Sequence, residues 1–114
     1  MSLLLVDKPS ALLENAVAVY LKRRFGEEVY YFKSTQTGID IDFFIPGEEC
    51  AIQVAYSLET EEDRETKSLV SFAEKTKGIR RLIIVTNEGE RTITKDGLTI
   101  EVIPAYKFIL GAAF

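Results

Sequence analysis

The sequence predicts an α/β domain in which a mixed β-sheet is flanked by helices. Three apolar runs with alternating character follow one another closely, which is typical of an antiparallel meander. A helical stretch then leads into Arg81–Thr86, a nearly continuous apolar run of the kind found in central strands buried on both faces. A helix that connects two strands in this way forms a crossover, so we expect this strand to run parallel to its neighbour.

The elements are expected in the order helix, three-strand meander, helix, strand, short hairpin element and helix. Helical spacing of apolar residues begins at Pro9, where Ser10 can act as the N-cap, and Gly26 ends this helix. The three strands of the meander are expected at residues 29–33, 39–45 and 50–56, because turn-forming segments separate these runs.

The second half of the chain begins with a helix that we expect to start at Thr60, with Asp63 as its capping-box partner. Acidic side chains near this start suit the positive end of the helix dipole, and they are Glu61, Glu62 and Glu65. The buried side of the helix is predicted to consist of Leu69, Val70, Phe72 and Ala73, with Gly78 as its stop. Short strands near Thr92 and at residues 98–103 follow, and Pro104 opens the last helix.

Composition limits the class of protein. The chain has 114 residues, 46% of them hydrophobic and 28% charged, as expected for one globular domain spanning residues 1–114. A single cysteine excludes a disulfide within the chain, and the lack of histidine excludes Cys/His zinc sites and Ser-His-Asp triads. No apolar run approaches the roughly 20 residues of a membrane span, and the first residues do not resemble a secretory signal. We therefore expect a cytoplasmic protein with no membrane partner.

The charge balance argues against general binding of nucleic acid. The net charge is −4 and the pI is about 4.9, whereas binding to the phosphate backbone usually requires a basic surface. Two short basic groups remain candidates for weak, salt-sensitive contacts with DNA: Lys22, Arg23 and Arg24 in the first helix, and Arg80 and Arg81 before the central strand. Cations near the C-terminus of a helix also complement its dipole, which is the simpler interpretation of the first group.

Two aspartates in the second strand suggest a chemical site. Because side chains alternate along a strand, Asp40 and Asp42 should share one face, and the opposite face should carry Ile39, Ile41, Phe43 and Ile45. In the third strand Ala51, Gln53 and Ala55 should share a face, so Gln53 is a candidate hydrogen-bond partner of Asp42. A metal-dependent nuclease needs an aspartate on one strand and an acid two residues before a lysine on the next, because the acids hold Mg²⁺ and the lysine steadies the attacking water.

Nearly the whole chain resembles a known family. The sequence is similar to the domain of unknown function that follows the ATPase module in many archaeal and bacterial AAA-type ATPases, a domain with the PD-(D/E)XK, or restriction-endonuclease-like, nuclease fold. The most specific matches are the Leu-Glu-Asn of the first helix, the Ile-Asp-Phe of the second strand, and the Gln-Val strand that precedes Arg64 and Glu65. The segments that carry the resemblance are LLENAVAVYLKRR, VYYFKSTQTGIDIDFFI, AIQVAYSLETEEDRETKSLVSFAEK, RRLIIVT and VIPAYKFIL.

The resemblance assigns roles to individual residues. Glu14 matches the helix glutamate of the nuclease superfamily and Asp42 matches its metal-binding aspartate, while Gln53 occupies the second acidic position and Ala55 the lysine position. An amide oxygen at residue 53 can still bind Mg²⁺ weakly, but alanine offers no chemistry. Lys33 is the one candidate for a lysine that has moved elsewhere. Each acid also has a structural explanation, since Glu14 can complement the helix dipole and Asp42 can serve in hydrogen bonding alone.

Three functions are compatible with these residues. The first is a non-catalytic nuclease-fold module of an AAA-type ATPase, which binds a protein or DNA and has the ATPase domain as its neighbour in a longer protein. The second is a metal-dependent deoxyribonuclease that uses Mg²⁺ with Glu14, Asp42, Gln53 and Lys33. The third is a domain that only packs within an ATPase oligomer. No cofactor is expected for the first and third. Cys50 is expected to be a core residue because no histidine is present to activate it.

Overall fold

The fold places three helices and six strands within residues 9–114. The computed structural model describes the backbone of these residues, and the side chains of all of them except residues 59–63. The helices are α1 (Pro9–Phe25), α2 (Leu58–Lys75) and α3 (Ala105–Ile109), and short 3-10 turns occupy Gly26–Glu28 and Pro46–Glu48. The strands are β1 (Tyr30–Lys33), β2 (Asp40–Ile45), β3 (Cys50–Ala55), β4 (Arg81–Thr86), β5 (Arg91–Lys95) and β6 (Leu98–Pro104).

All six strands form one mixed sheet with the order β1-β2-β3-β4-β6-β5. The pairs β1/β2, β2/β3 and β5/β6 are antiparallel, whereas β4 runs parallel to both β3 and β6. Helix α2 is the crossover between β3 and β4, as the sequence predicts. The mixed α/β fold class and the predicted order of elements are therefore confirmed.

The sheet separates two apolar cores. On one face, Leu69, Val70 and Phe72 of α2 pack against Leu82 and Ile84 of β4 and their neighbours. The other face is covered by α1 and α3, and its core contains Val17, Leu21, Ile83, Val85 and Phe108. Alternate residues of β4 thus enter opposite cores, as expected for a strand buried on both sides. No helix among the described residues is long and apolar enough to cross a membrane.

Helix boundaries differ from the sequence predictions at all three starts. The prediction that Pro104 opens the last helix is wrong, because Pro104 still pairs within β6 and α3 begins at Ala105. Helix α1 begins at Pro9, so Ser10 lies inside the helix and the prediction that it is the N-cap is wrong. Helix α2 begins at Leu58, two residues before the predicted N-cap Thr60, and the proposed partner side chain of Asp63 is outside the described set. Gly26 follows the last residue of α1 with a positive φ of 64°, in agreement with its predicted role at the helix end.

The predicted arrangement of side chains along β2 is wrong in its second half. Ile39 and Ile41 pack in the core under α2, whereas Phe43 and Ile45 belong to the core under α1. The cause is a β-bulge. Tyr30 pairs with Phe44 but Phe32 pairs with Ile41, so Asp42 and Phe43 together lie opposite the single residue Tyr31. One extra residue reverses the alternation of every side chain that follows it.

Candidate functional site

Strands β2 and β3 are joined by side chains at the position of the bulge. Their main-chain register runs from Ile45 to Phe43 of β2, and the next positions are Asp42 and Gln53. There, the Asp42 N–H donates to Gln53 Oε1 at 2.8 Å and Gln53 Nε2 donates to the Asp40 carbonyl at 2.6 Å. In return, the Val54 N–H donates to Asp42 Oδ2 at 2.8 Å. These three hydrogen bonds, here called the polar bridge, satisfy main-chain groups at the bulge.

The bridge explains why two polar residues occupy an apolar part of the sheet. Gln53 is only 2% exposed, and its amide has both a donor and an acceptor engaged with the neighbouring strand. A buried amide without partners costs free energy, whereas a fully paired one fixes the geometry of its neighbours. The expected pairing of Gln53 with Asp42 is confirmed, although Gln53 bonds to the main chain of Asp42 and not to its carboxylate.

A pocket of ≈450 Å³ opens beside the polar bridge. It lies where β3 ends and α2 begins, and the carboxyl ends of parallel strands are the usual place for ligand sites in open α/β sheets. The first turns of α1 close it on the opposite side. Its lining consists of Ser10, Ala11, Glu14, Gly38, Asp40, Asp42, Gln53, Val54, Arg64, Glu65 and Ser68.

The electrostatics of this pocket are dominated by carboxylates. Burial raises the pKa of Asp42 to about 7, and the hydrogen bond from the Val54 main chain opposes this rise. Repulsion from Glu14, Glu65 and Asp40 raises the pKa of Asp42 further. Among the lining residues that the structure describes, Arg64 is the one with a cationic side chain, and its Nη2 lies 3.1 Å from Glu65 Oε1 with 73% of the side chain exposed. Near neutral pH, Asp42 therefore exchanges a proton within an acidic pocket.

Two oxygen atoms that a Mg²⁺ ion would use in this pocket already accept hydrogen bonds. Mg²⁺ requires oxygen ligands in near-octahedral geometry, usually with one or two anionic carboxylates. Asp42 Oδ2 accepts a hydrogen bond from the Val54 main chain, and Gln53 Oε1 accepts one from the Asp42 main chain. Within the described part of the chain, no three or more acidic or cysteine side chains are grouped as a metal site would require.

The structure brings together three of the residues predicted for catalysis. Glu14, Asp42 and Gln53 all line the pocket. Ala55, at the lysine position of the nuclease motif, is 1% exposed and belongs to the core under α2. Lys33 is exposed at the end of the edge strand β1, where its main chain pairs with Asp40, and it is absent from the described pocket lining.

The basic residues predicted in the first helix lie in the last turn of α1, away from the pocket at its first turns. Glu14 and Arg24 are ten residues apart, which corresponds to about 15 Å along a helix. Arg81 binds Glu101 through two hydrogen bonds of 2.7 and 3.1 Å, and its guanidinium lies over the Phe114 ring at 5.4 Å. Arg80 forms an exposed ion pair of 3.3 Å with Glu49. Arg80 and Arg81 therefore already have anionic partners within the chain.

Sequence reasoning missed Glu65 as a pocket residue. Its position near the start of α2 suggested complementation of the helix dipole, yet the residue is 7% exposed and lines the pocket. The signal was present in the spacing, since Glu65, Leu69 and Phe72 recur at four and three residues and therefore share one face of the helix. Cys50 is fully buried as expected, and burial raises the pKa of its thiol to about 12.

Fold and site together define a mixed-sheet α/β domain with an acidic pocket beside the polar bridge between β2 and β3. The model of one family, described as a domain of unknown function (DUF4143), matches residues 10–108 of the chain. The chain therefore belongs to the DUF4143 family. No curated protein and no solved structure matches it significantly.

Proposed function

We propose that this chain is a non-catalytic nuclease-fold module that serves an AAA-type ATPase by binding a partner. The link to an ATPase and to the PD-(D/E)XK fold rests on the sequence resemblance, which spans the same region as the DUF4143 match. The ATPase domain is then the neighbour of this module in the longer protein. The site itself argues for loss of hydrolysis, and the polar bridge is the observation that carries this argument.

In the polar bridge, the two motif positions have a structural role. Asp42 and Gln53 hold β2 against β3 by bonding main-chain groups, so Asp42 Oδ2 and Gln53 Oε1 are used in the sheet, whereas a nuclease would direct such oxygens to a metal. At the third position, Ala55 provides no amine to orient water or offset phosphate charge. Removing one electrostatic group of this type commonly lowers a rate by a factor of about 10² to 10³.

The second candidate is a metal-dependent deoxyribonuclease, and one observation favours it. Glu14, Asp40 and Glu65 are close enough to Asp42 to raise its pKa, and a divalent cation would relieve this repulsion. Such an enzyme would have to bind metal through a rearranged polar bridge and obtain its amine from Lys33, which lies outside the described pocket lining.

A cleavage assay separates the two candidates. Plasmid and linear DNA are incubated with the chain and Mg²⁺ or Mn²⁺, with and without chelator, and the same is done with Asp42→Ala and Lys33→Ala. We expect no cleavage above background in any sample. Cleavage that chelator abolishes and that Asp42→Ala lacks would overturn the non-catalytic assignment, and its further loss in Lys33→Ala would identify a lysine that has moved.

The class of partner is addressed by titrating fluorescent duplex DNA and following its anisotropy at several salt concentrations. DNA binding should be weak and should fall steeply with salt, since each phosphate contact releases a counterion. Combined reversal of Lys22, Arg23 and Arg24 should remove whatever binding exists. Arg80→Ala is the matched control, because Arg80 is already paired with Glu49. Weak or absent DNA binding would favour a protein partner.

A further inference from the structure

The two edges of the sheet differ in how they are protected. Edge strand β5 carries Arg91 and Lys95, and charged residues on an edge discourage pairing with another strand. Edge strand β1 has the sequence Tyr-Tyr-Phe-Lys, and all four of its residues are exposed. Tyr30 is 49% exposed, Tyr31 79% and Phe32 39%. An edge that exposes three consecutive aromatic residues favours association with another strand.

The hydrogen bonding of β1 determines which of its main-chain groups are available. The Ser34 N–H donates to the Ile39 carbonyl at 2.9 Å, so Ser34 directs its main chain toward β2. Antiparallel strands alternate with a period of two, so Phe32, which pairs with Ile41 in the same register, also faces β2. Tyr31 and Lys33 consequently direct their N–H and C=O groups away from the sheet, where another strand can bind them.

We infer that β1 pairs with β1 of a second copy of this chain, antiparallel and across a two-fold axis at Tyr31. In such an antiparallel pair, residues whose main-chain N–H and C=O groups point away from their own sheet lie opposite each other. Two-fold symmetry then places Tyr31 opposite Tyr31 of the second copy. In this register Tyr30 lies opposite Phe32 of the second copy and the reverse also holds, so every exposed aromatic ring of β1 faces an aromatic ring. Aromatic cross-strand pairs are among the stabilising ones.

Charge complementarity also favours a second copy of this chain as the partner of β1. Lys33 comes opposite Val29 of the second copy, next to the exposed 3-10 turn that carries Glu27 and Glu28. Two-fold symmetry creates this cation–anion contact twice, once at each end of the pair. Phe32 already packs against Phe72 of α2 with ring centroids 5.1 Å apart, so its ring is held in position before association. The two six-stranded sheets would become one continuous sheet.

Molar mass measured by light scattering and sedimentation tests this dimer directly. We expect the wild-type chain to be dimeric at high concentration. Tyr31→Pro removes an outward N–H that β2 does not use, and Tyr31→Lys adds a charge at the axis. Each should raise the dimer dissociation constant by about tenfold or more. Thr94→Lys, an equivalent change on the exposed face of β5, should leave the dimer intact.

Charge reversal at exposed residues identifies the register. Lys33→Glu should weaken the dimer, and adding Glu27→Lys and Glu28→Lys to it should restore association. Hydrogen exchange gives a second readout, since dimerisation should protect the Tyr31 and Lys33 amides while the Phe32 amide is protected at every concentration. A wild-type chain that is monomeric at all concentrations, or a dimer unaffected by Tyr31→Pro and by charge reversal, would overturn the inference.

Discussion

The centre of the sheet and the junction of β2 with β3 differ in how their main-chain groups are hydrogen-bonded. Between β3, β4 and β6, unbroken parallel register joins main-chain groups directly, and Ile83, Ile84 and Val85 are fully buried. At the junction, the main-chain pairing of β2 with β3 ends at Phe43, beside the bulge between β1 and β2, and the side chains of Asp42 and Gln53 supply the next hydrogen bonds. The centre therefore depends on apolar packing, and the junction depends on a few polar atoms whose charge state varies with pH.

The largest expected effect is at the centre. Ile83→Ala removes buried methyl groups from the core under α1 and leaves a cavity, so it should lower the free energy of unfolding by about 2 to 5 kcal/mol. Chemical denaturation followed by circular dichroism measures this change. Val19→Ala, on the exposed side of α1, is the control and should change stability by less than about 0.5 kcal/mol. A small effect at Ile83 would contradict the role given to the centre.

The pH dependence of stability isolates the carboxylate of the junction. The folded pKa of Asp42, about 7, exceeds its ordinary value of 3.8, so the folded state binds the proton more tightly than the unfolded state. This contribution to stability is complete below the ordinary value and is lost as pH rises through about 7. From about pH 4 to about pH 8, wild type should lose about 1 to 4 kcal/mol relative to Asp42→Asn.

The stabilities of wild type and Asp42→Asn are compared by denaturation curves at several pH values. Asparagine keeps an oxygen that can accept from the Val54 N–H, so the substitution removes the charge while preserving that hydrogen bond. Parallel pH profiles for wild type and Asp42→Asn would mean that the carboxylate has an ordinary pKa, and the electrostatic account of the pocket would fail.

The amide of the polar bridge should have a smaller effect on stability. Gln53→Ala leaves the Asp42 N–H and the Asp40 carbonyl without their partners, which should cost about 1 to 3 kcal/mol. Gln36→Ala is the control, because it truncates a glutamine side chain that is exposed in the turn between β1 and β2. It should leave the free energy of unfolding nearly unchanged. Denaturation at one pH suffices here. Equal behaviour of the two variants would show that the bridge is dispensable.

Much of the fold could be predicted from the sequence because its signals are local. Residues 82–85 within Arg81–Thr86 are all apolar, and the structure places this strand at the centre of the sheet. Alternation in β3 correctly separated Ala51, Gln53 and Ala55 from Cys50 and Ile52. Such patterns reflect burial on one or two faces of a single element, and neighbouring residues suffice to define them.

The site was less predictable because it depends on tertiary pairing. The bulge at Asp42 and Phe43 depends on how β2 aligns with β1, and alternation along β2 alone contains no sign of it. The early start of α2 at Leu58 placed Glu65 well inside the helix, where its spacing from Leu69 matters more than its nearness to the helix start. Capping motifs predicted the wrong first residues because tertiary packing outweighs weak local preferences.

The position of β4 between β3 and β6 has a consequence for the order of folding. The meander of β1, β2 and β3 and the hairpin of β5 and β6 are each built from contacts between nearby segments of chain, whereas β4 must find both groups across a crossover. Contacts with long sequence separation form slowly because loop closure precedes them. Docking of β4 between two locally formed halves should therefore limit the folding rate, so substitutions in this strand would slow refolding more than equally destabilising ones in the hairpin.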